Sequence, residues 1–349
     1  MHDVKRGTMS TRFRRRRPRR GAQARAAVPA APARATRLPR AALNARRPFR
    51  RRTGPAEGAA WTIGTVSIQH YENFPVASLL CPPALRPAVT ALYVFARTAD
   101  DLADEGDAAP AQRLADLAAY RSDLAAAASG MTPSDRWPDV FAPLAETIAR
   151  HRLPLPLLTA LLSAFEQDVV QHDYADRSAL LDYCRRSANP IGRLLLHLYG
   201  VGDAAALGQS DAICTALQLA NFWQDVGVDT GRGRVYLPAA DCRRHGLDPT
   251  ELRAGRGAAA VKPVLRELVA WARTLMEQGA PLVHTLPGRA GWELRFVVQG
   301  GLRILDKIEA LDFATLQTRP TVGAHDLPLL LWRAVRMRRP AAPVARSVR

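Results

Sequence analysis

The helical spacing of apolar residues is the feature that most limits what this chain can fold into. From about residue 60 onward, apolar residues recur every three to four positions, and most Pro and Gly residues fall between the periodic segments. This spacing is typical of amphipathic α-helices. It predicts helices at about 66–80, 84–105, 110–128, 138–150, 155–172, 178–199, 205–229, 258–286, 290–310 and 325–337. The predicted fold class is all-α, with a single helical domain.

Composition divides the chain into three segments. Residues 1–60 are rich in Arg, Ala and Pro, and a segment of this kind cannot bury enough apolar surface to fold alone. We therefore predict a disordered tail at 1–60 and one helical domain at 61–325. Residues 326–349 are predicted to form a short helix followed by a basic C-terminal tail.

The formal net charge of +17 originates entirely in the N-terminal tail. Residues 1–52 contain 18 of the 49 Lys and Arg residues but only one of the 32 acidic residues. The remainder of the chain is neutral, so we expect no nucleic-acid partner for the helical domain. The tail itself is open to three interpretations: a non-structural extension, a basic arm for nucleic acid or anionic lipid, or a targeting segment without an apolar core.

Cysteine spacing and hydropathy bear on the cellular compartment. The four cysteines show no CxxC spacing, so neither a zinc site nor a disulfide framework is indicated, and a reducing compartment fits. No apolar run approaches the roughly 18–20 residues of a membrane span. We therefore predict a cytoplasmic location.

Two acidic clusters stand at the ends of predicted helices. The first holds Asp100, Asp101 and Asp104, and the second holds Asp225 and Asp229. Each cluster contains an Asp-x-x-x-Asp pair, and residues four apart share one face of a helix. In both helices the acids continue the apolar stripe, so they are predicted to point inward.

Buried carboxylates of like charge need a compensating cation. Oxygen ligands without nearby His or Cys suit Mg²⁺, or alternatively Mn²⁺, and Mg²⁺ commonly completes its shell with substrate phosphate. The clusters therefore predict a metal-bridged diphosphate. The alternative is that these acids are ordinary solvated helix ends.

Other residues near the clusters could contact such a ligand. Arg97 lies one turn before Asp100 and could clamp a phosphate or form a salt bridge with a nearby acid. Arg232 and Arg234 stand in a Gly-rich loop that could close over an anion. The segment around Pro190 is predicted to kink a helix and to make room for a ligand.

Together these residues resemble the squalene/phytoene synthase family, from about Ser67 to Pro320. The similarity rests on two motifs, Tyr93–Glu105 and Gln218–Asp229, and on the Arg-Val-Tyr-Leu-Pro and Ile-Leu-Asp-Lys-Ile runs that begin at Arg234 and Ile304. The resemblance implies an isoprenoid synthase helical bundle with a central active-site cavity, a catalytic domain at 61–325 and bound Mg²⁺.

Within the family, the segments 70–78, 187–190 and 221–225 are similar to the bacterial hopanoid-pathway branch. Gln224 and Gly301 stand where the family often has Arg and Tyr, two groups expected to help hold diphosphates. Their loss favours a substrate that carries one diphosphate. The resemblance therefore implies conversion of presqualene diphosphate to hydroxysqualene by ionisation, rearrangement and capture by water, without NADPH.

The resemblance also implies roles for particular residues. Those expected to be catalytic are Asp100, Asp104, Asp225 and Asp229. Those expected to bind metal are Asp100, Asp101, Asp104, Asn221, Asp225 and Asp229. Those expected to bind substrate are Tyr71, Phe74, Arg97, Tyr183, Ser187, Ala188, Gln218, Asn221, Phe222, Gln224, Arg232, Arg234 and Arg319.

The resemblance further implies a prenyl diphosphate substrate and two pathway partners. These are a presqualene diphosphate synthase and a flavin-dependent hydroxysqualene reductase. Because the substrate is greasy, peripheral contact with the inner face of a membrane is also expected. Two alternatives remain open: condensation of two prenyl diphosphates to squalene, presqualene diphosphate or phytoene, and a non-catalytic assembly role.

Overall fold

The computed structural model describes residues 81–254 and 256–338. Its α-helices are α1 (Arg86–Asp104), α2 (Pro110–Ala128), α3 (Pro138–His151), α4 (Leu155–Val170), α5 (Arg177–Ser187), α6 (Asn189–Leu198), α7 (Ala204–Gln224), α8 (Val226–Gly231), α9 (Ala239–Arg244), α10 (Pro249–Arg253), α11 (Ala258–Gly279), α12 (Gly288–Ala310) and α13 (Leu327–Arg336). Two 3₁₀ segments lie at Ala280–His284 and Ala324–Asp326. In the described ranges no strand forms beyond one isolated bridge between Asp173 and Val235. The all-α prediction is confirmed.

Three predicted helices were wrong in extent. The helix predicted at 178–199 divides at Ala188, just before Pro190, whose ring cannot continue the hydrogen-bond ladder. The helix predicted at 205–229 ends at Gln224, because Asp225 leaves helical geometry with φ −101° and ψ 14°. The helix predicted at 258–286 becomes 3₁₀ at Ala280, next to Pro281. Helices α9 and α10 were not predicted, and the predicted helix 66–80 lies outside the described residues.

Two hydrophobic clusters fill most of the interior. One joins α1 to α4 around Phe95, Tyr120 and Phe141, all completely buried. The other joins α7, α11 and α12 around Trp223 and Leu268. Helices α1 and α7 therefore each bury one face in a separate cluster, and both end at an aspartate motif.

Backbone hydrogen bonds fix the loop that follows α8. The Val235 amide donates to the His172 carbonyl at 2.8 Å, and the Ala239 amide donates to the Tyr174 carbonyl at 2.9 Å. These bonds hold residues 232–238 beside the C-terminal end of α4. The loop arginines are thereby carried toward the first aspartate motif.

A second loop, residues 312–320, packs on α8. The Gly227 amide donates to the Thr315 carbonyl at 3.3 Å. A Cβ at Gly227 would clash with the Leu316 carbonyl oxygen, so only glycine permits this approach. This contact places Arg319 near the second aspartate motif.

Candidate active site

The first aspartate motif closes α1. Its acids are half-buried and lie at the edge of the buried stripe, which runs through Leu92, Phe95, Ala99 and Ala103. The sequence analysis placed the acids on the apolar stripe itself, in line with Tyr93 and Ala96, but these two residues are only half-buried and the stripe is offset from them. Asp100 and Asp104 therefore border the core and remain accessible to a ligand.

The second motif stands where α7 gives way to α8. Asp225 directly follows the last residue of α7, and its amide donates to the Asn221 carbonyl at 2.9 Å. Arg319 pairs with the Asp225 carboxylate through Nε and, at 3.1 Å, through a terminal nitrogen. Asp229 lies one turn later in α8 and is half-buried.

Two arginines bring the motifs together. Arg234 donates to one oxygen of Asp104 at 2.5 Å, and Arg232 approaches the other oxygen at 3.3 Å. Asp104 belongs to the first motif, whereas both arginines follow the second motif directly. The C-terminal end of α1 and the loop after α8 thus form one charged site.

Asp229 shows the electrostatic character of this site. Burial, together with the negative charge of Asp225, raises the pKa of Asp229 to about 7, and Asp104 adds a smaller contribution. Arg234 and Arg232 oppose the rise in pKa without cancelling it. The carboxylates therefore repel one another, and an added cation would stabilise them.

Asp168 on α4 joins the site, although the sequence analysis did not single it out. Its Oδ2 accepts a hydrogen bond from the Tyr183 hydroxyl at 2.8 Å, and its buried Oδ1 has no hydrogen-bond partner in the described part of the chain. Burial raises the pKa of Asp168 to about 7, and the charges of Asp100 and Asp104 also raise it. The sequence did contain a signal for a buried Asp168, because this residue continues the helical stripe of Leu161 and Phe165.

Arg97 forms salt bridges in this structure. Its guanidinium lies 3.4 Å from Asp100, 2.8 Å from Asp101 and 2.7 Å from Glu105. The sequence left open a phosphate clamp and a salt bridge for this residue. The structure shows the second arrangement and places the guanidinium within the first motif.

An aromatic group lies behind the acids. Phe222 stacks on Tyr236 with ring centroids 3.9 Å apart, and Tyr183 lies between Tyr174 and Phe222. Tyr183 and Phe222 are almost fully buried. Their rings thus flank the site of Asp168.

Four further predicted residues lie on α5 and α7 or between α5 and α6. Ser187 ends α5 beside Ala188, and its buried hydroxyl has no hydrogen-bond partner among residues 81–254 and 256–338. Gln218 is half-buried on the same face of α7 as Asn221. Gln224 is buried and donates to the Pro320 carbonyl at 2.6 Å, so it helps hold the 312–320 loop.

An apolar cavity is lined in part by residues of α1 and α7 that precede the two aspartate motifs. It surrounds about 740 Å³ of space not filled by atoms, part of it open to solvent. Its wall includes Val89, Ile191, Ile213, Cys214, Leu217 and Val297. At 1.5 Å per helical residue, Val89 lies about 16 Å from Asp100 and Leu217 about 12 Å from Asp225.

Glu293 is an unexpected member of the cavity wall. This carboxylate of α12 is 8% exposed, and its negative charge raises the pKa values of Cys81 and Tyr199. Nothing in the sequence pattern had marked it. One end of the apolar cavity therefore carries a buried acid.

Two of the predicted substrate-binding residues have no described position. Tyr71 and Phe74 lie outside the described residues. Within the described part, no three His, Cys, Asp or Glu side chains stand close enough together to form a ready-made metal cage. Nor is any described helix both long and apolar enough to cross a membrane.

The fold and site together define a class of protein. A helical bundle with two aspartate motifs and an apolar cavity between its helices is the architecture of the all-α isoprenoid synthases. The Squalene/phytoene synthase profile matches residues 68–326. The chain belongs to this family of enzymes.

Individual relatives narrow the similarity. The chain is 34% identical to a hydroxysqualene synthase from Sinorhizobium fredii, over 74% of this chain and 86% of that protein. It is 41% identical to one from Zymomonas mobilis, over 48% of this chain and 55% of that protein. A crystal structure of a squalene synthase from Alicyclobacillus acidocaldarius has a TM-score of 0.64 and 37% identity, covering 70% of this chain and 90% of that one.

Proposed function

We propose that this enzyme converts presqualene diphosphate to hydroxysqualene. The observation that carries the proposal is the joining of both aspartate motifs through Asp104, Arg232 and Arg234. The helices that lead to the two motifs, α1 and α7, also line an apolar cavity. A diphosphate bound at the charged end would leave its hydrocarbon in the cavity. The similarity to hydroxysqualene synthases supports this choice of reaction.

The residues at the charged end fit Mg²⁺ as the cofactor. Their donors are carboxylate and amide oxygens, and Asp229 has a raised pKa. In the part of the chain that the structure describes, Asp168 has a buried oxygen that no hydrogen-bond donor contacts. Mg²⁺ typically uses few protein carboxylates together with phosphate oxygens, so a ready-made cage is not required. Asp100, Asp101, Asp104, Asn221, Asp225 and Asp229 would hold it, with Mn²⁺ as a substitute. Bound there, it would neutralise charge on the departing diphosphate.

The chain's own residues would bind the leaving group. Arg232 and Arg234 donate to Asp104 in the free enzyme and can turn to phosphate oxygens when a diphosphate is bound. Arg319 can do the same from its pairing with Asp225. Donors placed where negative charge develops lower the barrier to breaking the carbon–oxygen bond.

The remaining steps need an apolar enclosure rather than a protein nucleophile. The carbocation rearranges within the cavity, and addition of one water with loss of a proton gives the alcohol. Tyr183, which donates to Asp168, and its neighbour Phe222 lie near the charged site rather than in the cavity wall, and aromatic faces stabilise cations there by roughly 0.5–2 kcal/mol each. No hydride is consumed, so the reaction requires no NADPH.

Two substitutions support a substrate with one diphosphate. Gln224 donates to the Pro320 carbonyl and is therefore engaged in holding a loop. At Gly301, a Cβ would lie 2.6 Å from Met276 and 2.9 Å from Leu217, so the present packing has no room for Tyr. At both positions, a residue that holds a loop or allows close packing thus stands where the family often has a diphosphate-binding side chain.

A product assay tests the proposal. The enzyme would be incubated with Mg²⁺ and presqualene diphosphate, without NADPH, and the extract analysed by mass spectrometry. We expect hydroxysqualene. A hydrocarbon product, or efficient turnover of farnesyl or geranylgeranyl diphosphate, would favour a condensing squalene, presqualene diphosphate or phytoene synthase instead.

A matched pair of variants tests the site. Asp225→Asn should lower kcat by at least about 100-fold, because the carboxylate would help hold the Mg²⁺ that neutralises charge on the departing diphosphate. Asp211→Asn is the control, since Asp211 is also on α7 and also pairs with an arginine, Arg193. Both variants should keep the wild-type helical circular dichroism. Equal activity of the two variants would exclude a catalytic role for Asp225 and would leave a non-catalytic assembly role open.

The proposed reaction also defines the partners. A presqualene diphosphate synthase must supply the substrate, and a flavin-dependent hydroxysqualene reductase would consume the alcohol. Four free cysteines in the described residues suit a reducing cytoplasm, and the greasy product favours contact with the inner face of a membrane. No nucleic acid takes part.

A further inference from the structure

The outward face of α13 is almost entirely apolar. Leu327, Leu331, Trp332 and Val335 are 50–59% exposed. They make up half of the strongly exposed large apolar side chains in the described part of the protein, yet α13 has only ten residues. Single exposed apolar residues are ordinary, whereas a contiguous face marks an interaction site.

Helix α13 is oriented by its contacts with the rest of the domain. Leu330 and Ala334 are buried, and Arg295 of α12 donates to the Ala334 carbonyl at 2.8 Å. Arg333 pairs with Asp306, also on α12, at 2.6 Å. These contacts hold one side of α13 against the domain and fix the apolar side toward solvent.

The charge of this segment identifies the kind of partner. From Leu327 to Arg349 the sequence contains six arginines and no acidic residue. Among them, Arg336 and Arg338 are exposed, and the Arg336 guanidinium lies 4.4 Å from the centroid of the Trp332 ring. A helix with an exposed apolar face, an interfacial Trp and only cationic charge fits the surface of an anionic lipid bilayer.

We propose that α13 docks the enzyme on anionic membranes by inserting Leu327, Leu331, Trp332 and Val335 among the lipids. Helix α12, which carries α13, also supplies Glu293 and Val297 to the cavity wall. The docked surface therefore lies on the same element as the hydrocarbon site. Binding to the membrane does not require turnover, so it can be tested independently of the proposed reaction.

Vesicle co-sedimentation of the full chain tests this proposal. Vesicles of phosphatidylcholine with 30% phosphatidylglycerol would be used in 0.5 M NaCl, where a Debye length of about 4 Å screens contributions from the basic N-terminal tail. The Leu331→Gln/Trp332→Gln variant should lower the partition coefficient about tenfold, because two half-exposed apolar side chains no longer leave water. The Met131→Gln/Val170→Gln variant is the control, with similarly exposed apolar residues on other elements, and should change it less than twofold.

Further measurements distinguish other occupants of the apolar face. Brominated lipids should quench tryptophan fluorescence in the wild type, and this quenching should be weaker in Trp332→Phe. Equal vesicle binding by the α13 and control variants would overturn the proposal. So would a wild-type dimer that the α13 variant converts to monomer, since a second copy would then cover the face. A lower melting temperature of that variant without weaker vesicle binding would instead assign the face to another segment of this chain, and would also overturn it.

Discussion

At the scale of single residues, the site is built from carboxylates that are difficult to ionise. Asp168 and Asp229 both have pKa values near 7, because burial removes each carboxylate from water and other acids lie close by. The nearby arginines do not cancel this rise in pKa, since Arg234 already donates to Asp104. Keeping these carboxylates close together therefore lowers the stability of the free enzyme.

Asp168→Asn tests this cost. The pKa of Asp168 in the fold, about 7, lies above its ordinary value of 3.8. The protonated form is therefore favoured by folding, and the associated stability is present below about pH 4 and lost as pH rises through 7. This difference corresponds to on the order of 4 kcal/mol. We expect Asp168→Asn, which can still accept from Tyr183, to be more stable than wild type at pH 8 and less different at pH 5.

Urea unfolding of the enzyme in EDTA at both pH values measures this effect. Asp123→Asn serves as a control, because Asp123 is also buried but accepts two hydrogen bonds from Ser134. An equal loss of stability with rising pH in wild type and Asp168→Asn would contradict the assignment.

At the scale of elements, the position of α13 against α12 depends on the ion pairs of one buried carboxylate, Asp326. Asp326 is nearly inaccessible and accepts hydrogen bonds from Arg303 at 2.8 Å, Lys307 at 2.6 Å and the Gly323 amide at 2.8 Å. Both basic residues belong to α12. Lys307 belongs to the Ile-Leu-Asp-Lys-Ile run, so this run helps hold the start of α13 against α12.

Asp326→Asn should destabilise the protein by about 3 kcal/mol, because it leaves two half-buried cations without a counter-charge. These hydrogen bonds hold the pKa of Asp326 well below its ordinary value. Its stabilising effect is therefore present above about pH 4 and is lost as pH falls further. Thermal unfolding should show a smaller difference between variant and wild type at pH 3 than at pH 7, because the unfolded state begins to bind the proton first. The same difference at both pH values would indicate lost packing instead.

Periodicity predicted most elements because their apolar stripes are local. Helices α2, α3 and α4 begin where expected and end within two residues of the expected positions. The break at Asp225 could not be predicted, because Val226 continues the apolar period and the break coincides with contacts to the 312–320 loop. The pairing of Arg319 with Asp225 could not be predicted either, because it is a tertiary contact between residues more than 90 positions apart. Asp168 lacked a second acid at helical spacing, so a search for pairs missed it.

At the scale of the whole molecule, the cavity should determine which hydrocarbon is accepted. Val297 is half-buried in the cavity wall, opposite the α7 residues Cys214 and Leu217. Val297→Trp would fill part of the space and should lower kcat/KM for presqualene diphosphate at least about tenfold. Inhibition by inorganic diphosphate, which occupies only the charged end, should be unchanged. Val170→Trp, at a strongly exposed position, is the control.

The distribution of charge leads to a different expectation for the N-terminal tail. Residues 1–52 carry the whole net charge of +17, whereas the family match begins at residue 68. Removing residues 2–52 should therefore leave kcat within about twofold, because every acid and arginine of the proposed site remains. It should also abolish retention on DNA in 50 mM salt, since clustered arginines bind phosphates non-specifically through counterion release. Loss of turnover on deletion would assign the tail a role in catalysis, and unchanged DNA retention would locate a nucleic-acid surface on the helical domain.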